Sequence, residues 1–132
     1  MKQFKVILLA DDDKEDRQLL EEIIMDIDPL TEVFSVINGK QAIEFLYVCR
    51  DNELPHVVIL DYNMPLLTGA EVLTKIKEDE RLQHVPAVIL STSDSKESIK
   101  KCIDCGASEY FVKPSNMHGL VKIAQRILEL AN

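Results

Sequence analysis

Short apolar stretches alternate along this chain with longer stretches in which apolar residues recur at helical spacing. Continuous apolar stretches are typical of strands buried on both faces of a parallel sheet, whereas an apolar period near 3.6 residues indicates helices packed against it. The apolar stretches predict five strands: Lys5–Ala10, Thr31–Ile37, His56–Asp61, Ala87–Leu90 and Glu109–Val112. The periodic stretches predict five helices: Lys14–Ile27, Lys40–Arg50, Gly69–Glu80, a segment between an N-cap at Ser95 and Gly106, and Ser115–Leu130.

Two strand orders are common for such an alternating chain, the flavodoxin-like order 2-1-3-4-5 and one with the third strand outermost. The second strand alternates apolar and polar residues more than the others do, as an edge strand would. The first and third strands both end in acidic residues. We therefore predict an α/β, flavodoxin-like, doubly wound parallel sheet of order 2-1-3-4-5 with five helices. It forms one domain over residues 1–132, with a core from about residue 5 to 130.

Polar residues follow the apolar stretches where the predicted strands end, at Asp11, Asp12, Asp61, Ser91 and Lys113. Parallel strands end at one edge of the sheet, so these side chains are expected in one pocket. Neighbouring carboxylates cannot all ionise cheaply without a counter-charge, and a bound cation would supply one. Carboxylate oxygens favour Mg²⁺, Mn²⁺ or Ca²⁺, and a site completed by phosphate and water favours Mg²⁺.

Asp61 differs from Asp11 and Asp12 because it sits at the tip of a buried strand and is followed by Tyr62-Asn63-Met64-Pro65. A carboxylate there can attack phosphorus and form an aspartyl phosphate. A metal ion would neutralise the phosphoryl charge, Lys113 would add a mobile positive charge, and Ser91 a hydroxyl donor. A cis Lys113–Pro114 bond would aim the ammonium at the pocket. The alternative is that each residue is a strand-end polar group that meets water, but four compatible groups at one edge favour a site.

Composition narrows the classes of partner. The net charge is −8, and Lys and Arg form no cluster, so nucleic acid is not expected as a direct partner. The first apolar stretch is too short for a secretory signal or a membrane span, which favours a cytoplasmic protein without membrane contact. Cys102 and Cys105 have redox spacing but close a helix instead of opening one, so we interpret both as apolar core residues.

Four segments together resemble a known family. They are Leu8-Leu9-Ala10-Asp11-Asp12, Ile59-Leu60-Asp61-Tyr62-Asn63-Met64-Pro65 followed by Gly69, Pro86-Ala87-Val88-Ile89-Leu90-Ser91, and Gly106-Ala107-Ser108-Glu109-Tyr110-Phe111-Val112-Lys113-Pro114. From Lys5 to about Leu130 the chain resembles the receiver domain of bacterial two-component response regulators.

The resemblance implies that Asp61 accepts a phosphoryl group from a histidine kinase or phosphotransfer protein. It implies Mg²⁺ held by Asp12, Asp61 and the backbone carbonyl of Asn63, with Asp11 helping through water. Ser91 and Tyr110 match the family's switch pair, in which the hydroxyl moves to the phosphoryl group and the aromatic ring turns inward.

No DNA-binding or enzymatic segment follows Leu130 in this sequence, which resembles the stand-alone type of regulator. We expect no enzymatic activity beyond its own phosphotransfer and dephosphorylation. We expect an unidentified downstream protein to bind the face formed by the fourth helix, fifth strand and fifth helix. A second copy of the chain is another expected partner, in a homodimer formed on phosphorylation. Thr68, Ser115 and the third acid, Asp13, depart from the family pattern; Asp13 is taken as surface or outer-shell charge.

Three alternatives stay open. A phosphatase of the haloacid-dehalogenase type also uses a strand-end aspartate, but needs a second acid where Asn63 stands. A flavin carrier shares the predicted fold, but three acids after the first strand would repel a flavin phosphate. An interaction module that works without phosphorylation is the third, and it leaves the grouped acids and lysine without a chemical purpose.

Overall fold

The computed structural model describes residues 4–132, so the first three residues of the predicted domain lie outside the described part. The strands are β1 (Lys5–Ala10), β2 (Thr31–Val36), β3 (Val57–Leu60), β4 (Ala87–Ser91) and β5 (Glu109–Val112). The helices are α1 (Lys14–Ile27), α2 (Gly39–Val48), α3 (Gly69–Glu78), α4 (Lys96–Asp104) and α5 (Met117–Leu130), with a 3₁₀ turn at Asp51–Glu53.

All strand pairs are parallel, and the order is β2-β1-β3-β4-β5. The flavodoxin-like order predicted from the edge character of the second strand is therefore confirmed. At the end of β1, Ala10 pairs with Val36 of β2 on one side and with Leu60 of β3 on the other. The residues that follow, Asp11 and Asp61, consequently leave two adjacent strands at the same level, at the switch point of the sheet.

Each face of the sheet is covered by its own apolar layer. Alternate residues of β1 divide between them: Leu8 and Ala10 pack with α2, α3 and α4, whereas Ile7 and Leu9 pack with α1 and α5. These four side chains are at most 2% exposed. Burying a leucine or isoleucine side chain stabilises the fold by roughly 1.5–3 kcal/mol, so the two layers fix the strands firmly beneath the site.

Helical spacing predicts that the apolar side chains at Ile27, Tyr47 and Ile103 face the core, but all three are exposed. Ile27 is 36%, Tyr47 53% and Ile103 46% exposed, and each lies in the last turn of its helix. Neighbouring helical positions differ by about 100° around the axis, so Ile103 cannot share the inward face that Cys102 occupies. The apolar period continues to the end of these helices, beyond the part that covers the sheet.

Two helices begin where a capping side chain sets their start. Asn38 accepts a hydrogen bond from the Gln41 amide, so α2 starts at Gly39 instead of Lys40. The same helix ends at Val48 instead of Arg50. Asn116 accepts one from the Gly119 amide, so α5 starts at Met117 and not at Ser115. Asparagine is among the best N-cap residues, which explains why these two helices start at other residues than predicted.

The cysteines have the apolar environment expected of structural residues. Cys102 is buried in the layer beneath α4, and Cys105 is half-buried against the same layer. Burial, assisted by Cys105, raises the pKa of the Cys102 thiol to about 11. A thiol with so high a pKa is a poor nucleophile, which argues against redox chemistry despite the spacing.

The segment between β3 and α3 is held tightly against the sheet. A Cβ atom on Gly69 would lie 2.6 Å from the Asp61 carbonyl oxygen, so only glycine lets α3 start so close to the end of β3. Leu66 in the same segment has a φ of 72° and is 69% exposed. The left-handed conformation costs a non-glycine residue about 1–2 kcal/mol, so this loop stores strain beside the site.

Candidate functional site

The backbone of two adjacent strands fixes the two central acids. The Asp11 amide donates to the Val36 carbonyl at 3.2 Å, and the Asp61 amide donates to the Ala10 carbonyl at 3.0 Å. Both residues therefore continue the sheet's hydrogen bonding just past their strands, and their side chains emerge at its carboxyl edge. Asp11 is 4% and Asp61 9% exposed, so neither carboxylate is well hydrated.

Three of the predicted site residues form one acidic cluster. Carboxylate oxygens of Asp11, Asp12 and Asp61 all lie within 4.8 Å of one another. Asp12 is exposed, unlike its two neighbours, so the cluster opens to solvent on its side. Oxygen donors at this separation, with one open side, fit a hard divalent cation that keeps part of its water.

Lys113 joins the cluster from the end of β5. Its Nζ atom lies 3.1 Å from Asp11 Oδ2, 2.9 Å from Asp16 Oδ2 and 3.3 Å from Asp61 Oδ2. Its amide donates to the Ser91 carbonyl at 2.7 Å, which ties the end of β5 to the end of β4. The Lys113–Pro114 peptide is trans, like every peptide bond in residues 4–132, so the cis geometry considered from sequence is wrong. The long side chain reaches the pocket from the strand end without it.

The charges in this pocket act on one another strongly. Burial raises the pKa of Asp61 to about 6, and the Asp11 charge adds to the rise while Lys113 opposes it. Burial would lower the pKa of Lys113, but the hydrogen bond to Asp16 and the charges of Asp61 and Asp11 raise it above its ordinary value. The lysine therefore stays charged, and the negative charge around it is only partly balanced.

The two predicted switch residues are linked through the loop between β4 and α4. Ser91 is fully buried, and its hydroxyl oxygen accepts a hydrogen bond from the Ser93 amide at 3.2 Å. The half-buried Tyr110 donates from its hydroxyl to the Ser93 carbonyl at 2.7 Å. A change at Ser91 and a change at Tyr110 would therefore both act on the backbone of Ser93.

Asn63 follows Asp61 by two residues and is exposed in the loop before α3. The capping box that starts α3 explains the departure at Thr68, whose hydroxyl accepts from the Glu71 amide while the Glu71 carboxylate accepts from the Thr68 amide. This pair closes the far end of the loop that contains Asn63 and the strained Leu66.

Two acidic residues at the start of α1 have roles that were not predicted from the sequence. Asp13, taken as surface charge, is the N-cap of α1 and accepts from the Asp16 amide at 3.0 Å. Asp16, which no motif singled out, makes the shortest of the three contacts to Lys113. An aspartate directly before a helical pattern is an N-cap signal, which could have identified Asp13. No comparable signal exists for Asp16, because its partner is far away in the sequence.

Comparison with known proteins agrees on one class, the receiver domains of two-component signalling. Residues 7–125 match the model of the response regulator receiver domain, and the chain belongs to that family. Two-component response regulator ORR5 of Oryza sativa subsp. japonica is 33% identical over 124 residues, which cover 92% of this chain and 87% of that protein. Phosphorylation-dependent switching is the general function of the family, and its members interact with histidine kinases or phosphotransfer proteins.

Solved structures give the same fold. The phosphorylated cyanobacterial phytochrome response regulator RcpA superposes with a TM-score of 0.87 at 32% identity, covering 96% of this chain and 93% of that one. The Mn²⁺-bound form of response regulator Rcp1 gives a TM-score of 0.82 at 32% identity, covering 93% and 91%. Divalent metal binding thus occurs in this family. Across residues 4–132 of the present chain, no helix is long and apolar enough to cross a membrane.

The raised pKa of Asp61 predicts a pH-dependent cost of folding. An unfolded aspartate has a pKa near 3.9, so the folded protein holds this proton more tightly. Stability should therefore fall as pH rises from about 4 to about 6, and the cost should persist above that. Without metal, Asp61→Asn should be more stable than wild type at pH 8 by on the order of 1–3 kcal/mol, and the difference should shrink towards pH 4.5. Urea unfolding of both proteins at each pH, in the presence of a metal chelator, measures this difference in the free energy of unfolding.

Asp26→Asn, which neutralises an exposed carboxylate on α1, is the matched control and should change stability little at either pH. A constant difference between wild type and Asp61→Asn across this range would show that burial of the Asp61 charge carries no net cost.

Proposed function

We propose that residues 1–132 act as one receiver domain that accepts a phosphoryl group on Asp61 from a histidine kinase or phosphotransfer protein. The observation that carries this proposal is the position of Asp61. Its carboxylate lies at the carboxyl end of β3, nearly buried, beside two other acids and 3.3 Å from the Lys113 ammonium. The chain acts by changing the binding of a partner protein, and transforms no other substrate. We place it in the cytoplasm.

The transfer is a displacement at phosphorus. An Asp61 carboxylate oxygen attacks the phosphorus of a phosphohistidine, the phosphorus–nitrogen bond breaks, and the departing imidazole retains the electron pair and takes up a proton. Above pH 6 Asp61 is mostly ionised and ready to attack. Lys113 contributes a positive charge to the phosphoryl oxygens, and Ser91 a hydroxyl donor, once its hydroxyl turns from the Ser93 amide.

A divalent cation requires oxygen donors such as the carboxylates of Asp11, Asp12 and Asp61. Asn63, in the loop after β3, would add its backbone carbonyl as a further ligand. We assign Mg²⁺ to these residues, with Mn²⁺ or Ca²⁺ as substitutes. Bound there, the ion would supply charge neutralisation for the phosphoryl oxygens. The acids themselves orient the pocket: Asp11 accepts from the Asp13 amide at 2.9 Å, which links the site to the start of α1.

The output follows from the hydrogen bonds around Ser93. Phosphorylation adds roughly 1.5 to 2 negative charges and three acceptor oxygens, which draw Ser91 and Lys113 from adjacent strands. When Ser91 turns, its hydroxyl gives up the hydrogen bond from the Ser93 amide. The carbonyl of Ser93 accepts from the Tyr110 hydroxyl. Tyr110 and the loop before α4 then move together, which changes the face of α4, β5 and α5. A downstream protein or a second copy of the chain would bind that face.

Asp61 is expected to be the sole phosphoacceptor. Incubation with acetyl phosphate and Mg²⁺ should add about 80 Da, the mass of one phosphoryl group, to wild type and to Asp26→Asn. Asp61→Asn should show no gain in intact-mass measurement. A gain that persists in Asp61→Asn would move the site to Asp11 or Asp12, and no gain in wild type would favour a module that works without phosphorylation.

Mg²⁺ should stabilise the fold by binding to the acidic cluster. With a dissociation constant on the order of 1 mM, 10 mM Mg²⁺ adds roughly 1.4 kcal/mol, or a few degrees of melting temperature. Asp12→Ala should lose this shift because it removes the exposed ligand, whereas Glu15→Gln, in the first turn of α1, should keep it. Equal Mg²⁺ responses in wild type and Asp12→Ala would refute the assignment.

Phosphorylation should change amide exchange beyond the pocket. With beryllofluoride and Mg²⁺, protection should change in residues 97–106, which cover most of α4 and the turn after it, and around Tyr110, because both depend on the Ser93 backbone. Tyr110→Phe removes the hydroxyl that bonds to Ser93 and should reduce the change in α4 while the pocket loops still respond. Changes confined to the pocket loops in wild type would count against the coupled switch.

A further inference from the structure

Lys113 has three donors and three carboxylate partners, so its hydrogen-bonding capacity is full in this state. The contact to Asp16 is the shortest at 2.9 Å, and the contact to Asp61 is the longest at 3.3 Å. A phosphoryl group on Asp61 brings further acceptor oxygens into the same pocket. The bond to Asp61 can pass to one of these oxygens, but any further bond to the phosphoryl group requires the ammonium to give up Asp11 or Asp16.

Asp16 is the partner whose release costs the least free energy. Its side chain is 47% exposed, against 5% for Asp11 and 11% for Asp61, so water can replace the lost bond only at Asp16. Asp61 loses its carboxylate charge when its oxygen is bonded to phosphorus, so its contact can pass to the phosphoryl oxygens. Releasing Asp11 would instead leave a poorly hydrated charge without a donor. The competition for the lysine therefore lies between Asp16 and the phosphoryl oxygens.

The start of α1 explains why the Asp16 carboxylate is available to the lysine at all. An acidic residue three positions after an N-cap commonly turns back to accept from the cap's amide. Here the Asp13 amide donates to Asp11 instead, at 2.9 Å, while the Asp13 carboxylate caps the Asp16 amide. The Asp16 side chain is left free of the helix end and bonds to Lys113.

The lysine also has room to change its position. A cavity of about 90 Å³ lies beside it, polar where Asp11, Asp16 and Lys113 line it and apolar elsewhere, where Leu90 and Leu120 contribute. Lys113 can therefore leave Asp16 without displacing tightly packed side chains.

We propose that Asp16 is a positioning residue that holds the Lys113 ammonium in the unphosphorylated site and competes for it with the phosphoryl group. This inference rests on the function proposed above. Asp16 touches neither the phosphoryl group nor its donor, and acts only through the lysine. The contact between Asp16 and Lys113 weakens binding of the phosphoryl group. The same contact strengthens metal binding, because a lysine drawn towards Asp16 neutralises less of the charge on Asp11 and Asp61.

The two effects of removing the Asp16 charge should have opposite signs. In Asp16→Asn, the affinity for beryllofluoride at saturating Mg²⁺ should rise roughly two- to five-fold, the range expected for a half-exposed ion pair. The affinity for Mg²⁺ alone should fall by a similar factor. NMR titration measures both constants, and urea unfolding confirms that the variant is folded. A merely structural defect would weaken both affinities together.

Glu15→Gln removes the same charge from an exposed position in the same turn and should change both affinities by less than half as much. Asp16→Glu keeps the charge and should stay near wild type. An unchanged or weaker affinity for beryllofluoride in Asp16→Asn, or an equal gain in Glu15→Gln, would overturn the inference and leave the receiver function standing. A wild type that binds no beryllofluoride with Mg²⁺ present would overturn both.

Discussion

The structure depends on a charge imbalance held at the edge of the sheet. Asp11, Asp16 and Asp61 contact the Lys113 ammonium, Asp12 lies beside Asp11 and Asp61, and two of these four carboxylates are nearly buried. Charges removed from water interact strongly and cannot spread their repulsion into solvent. Burial raises the pKa of Asp61, and the Asp11 charge adds to the rise, while the hydrogen bond to Asp16 and the charges of Asp61 and Asp11 keep Lys113 charged. A cation would relieve a site in this condition, so under the proposed function stability, metal binding and phosphoryl chemistry would all depend on the same few oxygens.

The fold tolerates this imbalance because apolar burial holds the backbone beneath it. Both layers of the core pack directly on β1 and β3, and the amides of Asp11 and Asp61 remain in the hydrogen-bond ladder of the sheet. The acids therefore cannot move apart to reduce their repulsion without breaking strand pairing. Stability lost at the site is supplied by the strands and helices around it, as is usual where a functional site conflicts with stability.

The sequence was enough to predict the strands, their order and the residues at their ends, because burial on two faces leaves a strong apolar signal. It was not enough to orient the last turns of helices, where Ile27, Tyr47 and Ile103 continue the apolar period without a partner surface. Nor could it find Asp16, whose role arises from the tertiary contact with Lys113. Contacts of this kind depend on side-chain direction and distance, which the apolar pattern does not encode.

Two hydrogen bonds connect the pocket to the rest of the structure through Ser91, at the end of β4. The Lys113 amide donates to the Ser91 carbonyl, and the Ser91 hydroxyl accepts from Ser93, whose carbonyl holds Tyr110. A spatial chain does not by itself establish coupling; an element with two arrangements is needed. In the switch proposed above, the Ser93 backbone would be that element, because its amide and its carbonyl are held by different side chains. If Ser91 changed partner, the amide would be released while Tyr110 still held the carbonyl, so the loop would move only if the tyrosine moved with it.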